Sequence, residues 1–368
     1  MARIALVTIS MDKMAGGLER NIVYLANHLS SAGHEVLLLT FDLPGASSFY
    51  PLGEVVIWHC LGRTPPHSPI SSRERLQLIL RMRKALGGPE PCEFMICFHH
   101  GILARSILAA LFSRTRVVCS ERNALSIYDY IQASKWNLNF LLLFLVHRIT
   151  VQFSSYRADY PRLLQSKIYT VHNPVFPLSL KNSVREHIIL SVGRHCAQKR
   201  FDLLIKACGR SFEKNPSWRL VIIGDGPLTS SLQTEIESAA LTDRVMLVPP
   251  TNDLQQWFSR ATLYCQPSQW EGFPNAQAEA MAAGVIPLGF TGTSGVADLI
   301  TDGVNGYLCE RESSAGNLSR CLAKAMTDTA RHARLSQAAR EICRLYSSTS
   351  WEKCWAHVLG FQDSDCDI

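Results

Sequence analysis

The chain has little of what an exported or membrane-spanning protein carries. Its longest apolar stretch, Leu138–Val146, has Asn139 as its one polar member and falls far short of the ~20 residues that a spanning helix needs. The run Ile4–Ile9 is too short for a signal peptide and leads into Asp12-Lys13, so no export is expected. The 12 Cys include no Cys-x-x-Cys pair. Cys92, Cys97, Cys119 and Cys265 sit in apolar runs, where cysteine acts as a small hydrophobe. A reducing compartment without a disulfide framework follows. Gly-x-Gly-x-x-Gly is missing, which disfavours a nicotinamide dehydrogenase. Basic residues are not interleaved with aromatics, so no nucleic-acid partner is expected.

With 368 residues, 47% of them hydrophobic and 18% charged, the chain has room for two domains with real cores. The net charge of +6 is unevenly spread. Residues 1–173 hold 18 Lys/Arg against 11 Asp/Glu, and the remainder 19 against 20. The basic half suits an anionic surface.

Arg3–Ile9 reads as a buried strand, followed by Gly16-Gly17 and an amphipathic helix carrying Ile22, Leu25, Ala26 and Leu29. Glu35–Thr40 is the next strand, and this β-loop-α-β order predicts a parallel sheet. Glu54–Cys60 is expected as a strand and Arg73–Leu86 as a helix. One face of that helix carries Arg73, Gln77, Arg81 and Lys84, the other Leu76, Ile79, Leu80 and Met82. Such a helix packs on a sheet or lies on an anionic membrane. Strands at Phe94–Phe98 and Arg116–Cys119 deliver His99-His100 and Ser120-Glu121-Arg122-Asn123. Open α/β sheets bind ligands at such strand ends, which raises His99, His100, Glu121 and Arg122 as candidates; a hydrogen-bonded structural role serves either His as well. Leu138–Val146 is expected to be a buried helix.

After His172-Asn173-Pro174 a Pro- and Ser-containing link runs to Val184, and β-α-β begins again. Domains are expected over 1–175 with 348–368, and over 182–347. Arg194 and Lys199 follow the first strand of the second domain, where a guanidinium and an ammonium neutralise a diphosphate. Solvated loop cations are the plainer reading. Further on, Glu271 and Glu279 flank Gly272, Phe273, Pro274 and Asn275. Proline fits the start of a helix, so Glu271 falls in the preceding loop and Glu279 about one turn inside. Helix N-termini favour phosphate. Two carboxylates beside one suit a nucleotide sugar, with hydroxyls on both sides of its diphosphate.

Together these stretches resemble glycosyltransferase family 4. Gly16-Gly17-Leu18-Glu19-Arg20 is similar to its N-terminal loop, Ser191-Val192-Gly193-Arg194 through Lys199 to its diphosphate segment, Ile223-Gly224-Asp225-Gly226-Pro227 to its central loop, and Glu271–Glu279 to its E-x7-E motif. The resemblance implies an α/β protein of GT-B fold: two Rossmann-like parallel-sheet domains facing a cleft, with a C-terminal helix returning to the first. It implies a retaining transferase. Arg194 and Lys199 would hold the donor diphosphate, Glu279 the ribose hydroxyls, and Glu271 would sit by the transferred sugar. Gly16, Gly17, Gly224, Gly226, Phe273 and Asn275 would stand on the donor side. His100, Glu121 and Arg122 are the first-domain candidates for assisting transfer. No cofactor and no metal are expected. Arg200 replaces a usual Gly, His195 a usual small apolar residue, and Asp298 a common Glu. Ser-Glu-Arg-Asn with His-Asn-Pro resembles bacterial enzymes of lipid-linked oligosaccharide, O-antigen and capsule synthesis.

The expected partners are a nucleotide-sugar donor, UDP-linked before GDP-linked, a glycan or polyprenyl-diphosphate-glycan acceptor, and an anionic membrane surface. The expected location is the cytoplasmic face of the cell membrane, peripherally bound. A nucleotide-sugar epimerase of the same fold is the alternative enzyme. A two-lobed ligand-binding protein is the non-enzymatic alternative.

Overall fold

A computed structural model describes residues 1–62, 71–87, 90–128, 138–178, 184–310 and 314–361. The chain forms two compact units. One is Met1–His172 with the segment from Trp351 on; the other is Asn173–Ser350. The division falls slightly before the expected link, part of which (179–183) lies outside the described residues.

The first unit runs β1 (Arg3–Val7), α1 (Gly17–Ser31), β2 (Glu35–Thr40), β3 (Ile57–Cys60), α2 (Ser72–Leu86), β4 (Phe94–Cys97), α3 (His100–Ala110), β5 (Arg116–Ser120), α4 (Leu138–Leu141), β6 (Arg148–Val151) and β7 (Ile168–Thr170). The sheet order is β3-β2-β1-β4-β5-β6-β7, and every pairing is parallel. Parallel strands are covered on both faces, which is why β1, β2 and β4 read as unbroken apolar runs. Helix α1 buries Ile22, Leu25, Ala26 and Leu29, the stripe of a helix on a sheet.

Three expectations are corrected here. Strand β3 starts at Ile57 rather than Glu54, because the Asn27 side chain binds the preceding segment. Its amide donates to the Pro51 carbonyl at 2.9 Å, and its oxygen accepts the Gly53 N–H at 2.8 Å. Helix α2 buries Leu78, Met82 and Leu86, and leaves Leu76 and Leu80 57% and 55% exposed. Leucines at 76, 78 and 80 allow two stripes, and the one spaced by four without a charge wins. Arg81 is also taken from the basic face, since its guanidinium donates to the Leu61 carbonyl at 2.6 Å. Leu138–Val146 is not one helix: α4 gives way to a 3₁₀ turn at Leu142–Phe144. Phe140, Leu143 and Val146 are the buried members, and a period of three is the 3₁₀ repeat.

The second unit runs β8 (Glu186–Val192), α5 (Phe201–Phe212), β9 (Arg219–Ile223), α6 (Thr229–Ser238), β10 (Val245–Val248), α7 (Leu254–Arg260), β11 (Ala261–Gln266), α8 (Asn275–Ala282), β12 (Ile286–Phe290), α9 (Val296–Leu299), β13 (Tyr307–Cys309), α10 (Ala315–Thr327), α11 (Thr329–Arg340) and α12 (Ile342–Leu345). Its parallel sheet is ordered β10-β9-β8-β11-β12-β13. In each sheet the winding reverses once, between β1 and β4 and between β8 and β11. Ligands of open α/β sheets bind at the carboxyl ends of such strand pairs.

The last helix, α13 (Ser348–Leu359), brings Trp351 and Trp355 into the first unit's core, beside Ile22, Leu25 and Phe98. The Trp351 ring lies 4.8 Å from that of Tyr24, and the Trp355 ring 6.3 Å from that of Phe98. Truncating a buried Trp costs about 3–5 kcal/mol. Trp355→Ala is therefore expected to lower the urea-unfolding free energy of the first unit by about that much; a loss below ~1 kcal/mol would show that the helix is not integral to that core.

Candidate active site

Loops from β8 and β11 meet at the second sheet's reversal. The Lys199 ammonium lies 2.6 Å from Glu271 Oε1. The same oxygen accepts from Ser268 Oγ at 2.6 Å and from Gln266 Nε2 at 2.9 Å. Glu271 is buried and Lys199 half-buried. Gly193 leaves space for the lysine stem: a Cβ there would lie 3.2 Å from Lys199 Cε. The two loops are tied again by the Gln198 side chain, which donates to the Trp270 carbonyl at 2.7 Å, and by the Gln269 N–H on the Gln198 carbonyl at 2.9 Å. A 3₁₀ turn at Ala197–Lys199 ends at Arg200, whose φ of 52° is left-handed. That conformation favours glycine, which explains why Arg200 departs from the family pattern at some cost. The Arg194 side chain is exposed on the same loop. Among the described residues it has no hydrogen bond or ion pair.

The glycines of Gly224-Asp225-Gly226 serve close packing between loops. A Cβ on Gly224 would lie 2.0 Å from the Gly193 carbonyl oxygen, and one on Gly226 2.5 Å from that of His195. The His195 N–H donates to the Asp225 carbonyl at 2.8 Å. The ring of His195 is fully buried, with Nδ1 2.9 Å from Thr229 Oγ1. Thr229 Oγ1 in turn donates to Asp225 Oδ1 at 2.8 Å. Burial lowers the His195 pKa, and the Asp225 charge only partly offsets this. His195 thus fixes the segment that carries both Arg194 and Lys199.

In the Glu271–Glu279 segment, the Glu271 N–H donates to the Ser294 carbonyl at 3.0 Å. Gly295, with φ of 78°, lets its backbone lie against Gly272. Asp298 accepts the Gly295 N–H at 2.8 Å, the local reason an Asp serves there. Helix α8 starts at Asn275, immediately after Pro274. Asn275 Oδ1 accepts from Asn173 Nδ2 at 2.9 Å. Phe273 is buried, its ring 5.6 Å from that of Tyr346, in the position of a packing residue. Glu279 is half-buried in the second turn.

The first unit's candidates also lie at strand ends. Gly16 caps α1. A Cβ on it would lie 2.0 Å from Glu19 Oε2, so this glycine leaves room for a buried carboxylate whose pKa burial raises. Gly17 is the helix's first residue. His99 is exposed and caps α3, its Nδ1 accepting the Gly101 N–H at 3.0 Å. His100 is buried with Nδ1 2.5 Å from Glu121 Oε1, which also accepts from Cys119 Sγ at 3.3 Å. Arg122 is half-buried, and loss of hydration brings its pKa down to about 10. Among the described residues, His100, Cys119 and Glu121 could gather round a metal ion, their ligand atoms all within 4.8 Å of one another. The 2.5 Å separation fits a hydrogen bond better, because two tetrahedral zinc ligands at ~2.0 Å from the ion sit about 3.3 Å apart. Asp-x-Asp spacings occur only at Asp363–Asp367, outside the described residues.

The structure thus pairs Lys199 with Glu271 and His100 with Glu121. Phe273 is buried, whereas Gly224 and Gly226 are half-buried against the loop after β8. Tyr264, Gln266 and Ser268 were missed by sequence reasoning. Their signal was available: three polar residues at alternate positions along an apolar strand share one face.

Two parallel-sheet units of this order, with loop cations and carboxylates gathered at a reversal, define a GT-B nucleotide-sugar enzyme. Family models bear this out along the chain: Glycosyltransferase Family 4 matches residues 15–177, and Glycosyl transferases group 1 matches residues 178–342. The chain belongs to these group 1, family 4-type glycosyltransferases. It is 25% identical over 301 residues to an uncharacterized glycosyltransferase of Haemophilus influenzae, covering 81% of this chain and 84% of that one. It is also 25% identical over 372 residues to a Campylobacter jejuni α-1,4-N-acetylgalactosaminyltransferase named for a glycan on undecaprenyl diphosphate, covering 98% of each. Among solved structures it resembles Anabaena HepE in complex with UDP and glucose, with a TM-score of 0.76, 16% identity, and coverage of 98% of this chain and 100% of that one. The protein is a glycosyltransferase that uses a nucleotide-sugar donor.

The buried His195 gives a pH test. Its folded pKa is depressed, so below its ordinary value of about 6.5 the unfolded chain binds the extra proton and stability is lost as pH falls. Urea-unfolding free energies between pH 7.5 and 5 are expected to fall more steeply for the wild type than for His195→Leu, by at most about 1.4 kcal/mol per pH unit. Parallel curves would mean that His195 is not held neutral.

Proposed function

We propose that the enzyme transfers a sugar, with retention of anomeric configuration, from a UDP-sugar to a glycan carried on polyprenyl diphosphate, at the cytoplasmic face of a membrane. The observation that carries this reading is Lys199 beside Glu271, with the exposed Arg194 on the same loop, at the second sheet's reversal. Arg194 and Lys199 bind the donor diphosphate and stabilise the charge that grows on it as the glycosidic bond breaks, the largest kind of catalytic term. Glu279 binds the ribose hydroxyls, and Glu271 orients the transferred sugar. The acceptor hydroxyl attacks from the face the diphosphate leaves, and the leaving phosphate takes its proton. No metal is needed in this scheme, since the two cations neutralise the diphosphate. The first unit holds the acceptor, with His100 oriented by Glu121, and Arg122 beside them in sequence.

Support for the UDP choice comes from the HepE complex, and for the acceptor from the Campylobacter relative's name. Membrane association is proposed on the exposed side of α2, where Arg73 and Lys84 stand with Leu76 and Leu80. Each cation near an anionic surface contributes about 1 kcal/mol. No helix among the described residues is long and apolar enough to cross a membrane.

Transfer assays with UDP- and GDP-sugars, with the product anomer read by NMR, test the reaction. Lys199→Ala is expected to lower kcat by about 100-fold or more, as loss of a charge-stabilising group does. Glu279→Ala is expected to raise the donor KM about tenfold, the effect of one charged hydrogen-bond partner. Unchanged kinetics would remove that residue from the site, and an inverted anomer would end the retaining scheme. In a second test, phosphatidylglycerol vesicles are expected to sediment the protein at low salt, and Arg73→Glu with Lys84→Glu to abolish this. Vesicles that leave the wild type in solution would refute the membrane site.

A further inference from the structure

The buried polar face of β11 has no part in the scheme above, yet it ends on Glu271. Tyr264, Gln266 and Ser268 alternate along the strand and its exit, and all three are buried. The Tyr264 hydroxyl donates to Gln266 Oε1 at 2.8 Å. That contact sets the amide's orientation, so Gln266 Nε2 donates to Ser268 Oγ at 2.7 Å and to Glu271 Oε1 at 2.9 Å. Ser268 has one proton, and it goes to Glu271 Oε1 at 2.6 Å. Burial, and then the Glu271 charge, raise the Tyr264 pKa well above its ordinary value, which keeps the hydroxyl a donor. The row therefore delivers two protons, one from Gln266 Nε2 and one from Ser268 Oγ, to one carboxylate oxygen.

That oxygen is also the one Lys199 binds. An ammonium committed to a buried carboxylate is a poor ligand for phosphate, because leaving would strand the charge without a partner. Here Glu271 keeps two neutral donors when the lysine departs. We propose that Ser268 and Gln266, aligned by Tyr264, are positioning residues that hold Glu271 so that Lys199 is free to move onto the diphosphate of a nucleotide donor. The inference rests on Lys199 as a diphosphate ligand. It adds a reason for polar residues inside an otherwise apolar central strand. In their absence Glu271 depends more heavily on Lys199, and diphosphate has to break a stronger ion pair.

The test compares UDP with uridine, since only the former carries the groups Lys199 would bind. Calorimetric affinities are measured for the wild type, Lys199→Ala, Ser268→Ala, Ser268→Thr, Gln266→Leu and the double variant Lys199→Ala with Ser268→Ala. Ser268→Ala is expected to weaken UDP about tenfold, one decade per 1.4 kcal/mol, and to leave uridine unchanged. Ser268→Thr, which keeps the hydroxyl, is expected to restore UDP binding. The double variant is expected to bind UDP no more weakly than Lys199→Ala, because the serine acts through the lysine. General disruption of the fold would instead weaken uridine and UDP alike, and Gln266→Leu provides the second reading if Ser268→Ala does not fold. If Lys199→Ala weakens UDP while Ser268→Ala and Gln266→Leu do not, the inference is overturned and the diphosphate role of Lys199 stands. If Lys199→Ala leaves UDP affinity unchanged, both are overturned.

Discussion

One ion pair organises the second unit. Lys199 and Glu271 are 72 positions apart in sequence and 2.6 Å apart in space. Little water reaches them, so each needs the other or a substitute. The sheet order makes the meeting possible by placing β8 and β11 side by side. The surrounding sequence serves that approach: Gly193 clears room for the lysine stem, and the Gln198 contacts hold the two loops together. Arg200 reverses the backbone just before α5 at a cost of about 1–2 kcal/mol, the ordinary penalty of a left-handed residue with a side chain. His195, pinned through Thr229, keeps the loop from drifting.

The first unit repeats the plan with different chemistry. Its reversal places the loops after β1 and β4 at neighbouring strand ends, and β5 follows next to β4. The pair there is His100 with Glu121, hydrogen-bonded, buried and joined to the Cys119 thiol. Glu19 fills the space that Gly16 leaves open. The tryptophans of α13 complete this unit's core rather than the second's. Separate cores let each unit hold its own site residues rigidly.

Much of this was legible beforehand, for physical reasons. Parallel strands covered on both faces must be apolar throughout, so they stand out in the chain, and a strand–glycine–helix order admits few topologies. The start of α8 was legible from Pro274 and the loop before it. Other features depended on contacts that sequence spacing does not encode. Helix α2 offered two apolar stripes, and only its packing selects Leu78, Met82 and Leu86. Leu138–Val146 looked helical because apolar residues are contiguous there, whereas the buried ones repeat every third position. Gly224 and Gly226 entered through the family resemblance, and the fold shows them also packing closely against the β8 loop. Arg81 looked like a surface cation, and from its exposed position it also holds the Leu61 carbonyl just after β3. The Tyr264–Gln266–Ser268 row was visible as a period of two, but its meaning depends on where Glu271 returns.

The most direct measurement is nitrogen-15 NMR of the Lys199 ammonium during titration with UDP. The account predicts a signal slowed in exchange by Glu271 in the free enzyme, which shifts saturably as UDP binds and the ammonium turns to the diphosphate. A Lys199 signal that stands still while other resonances report bound UDP would contradict it.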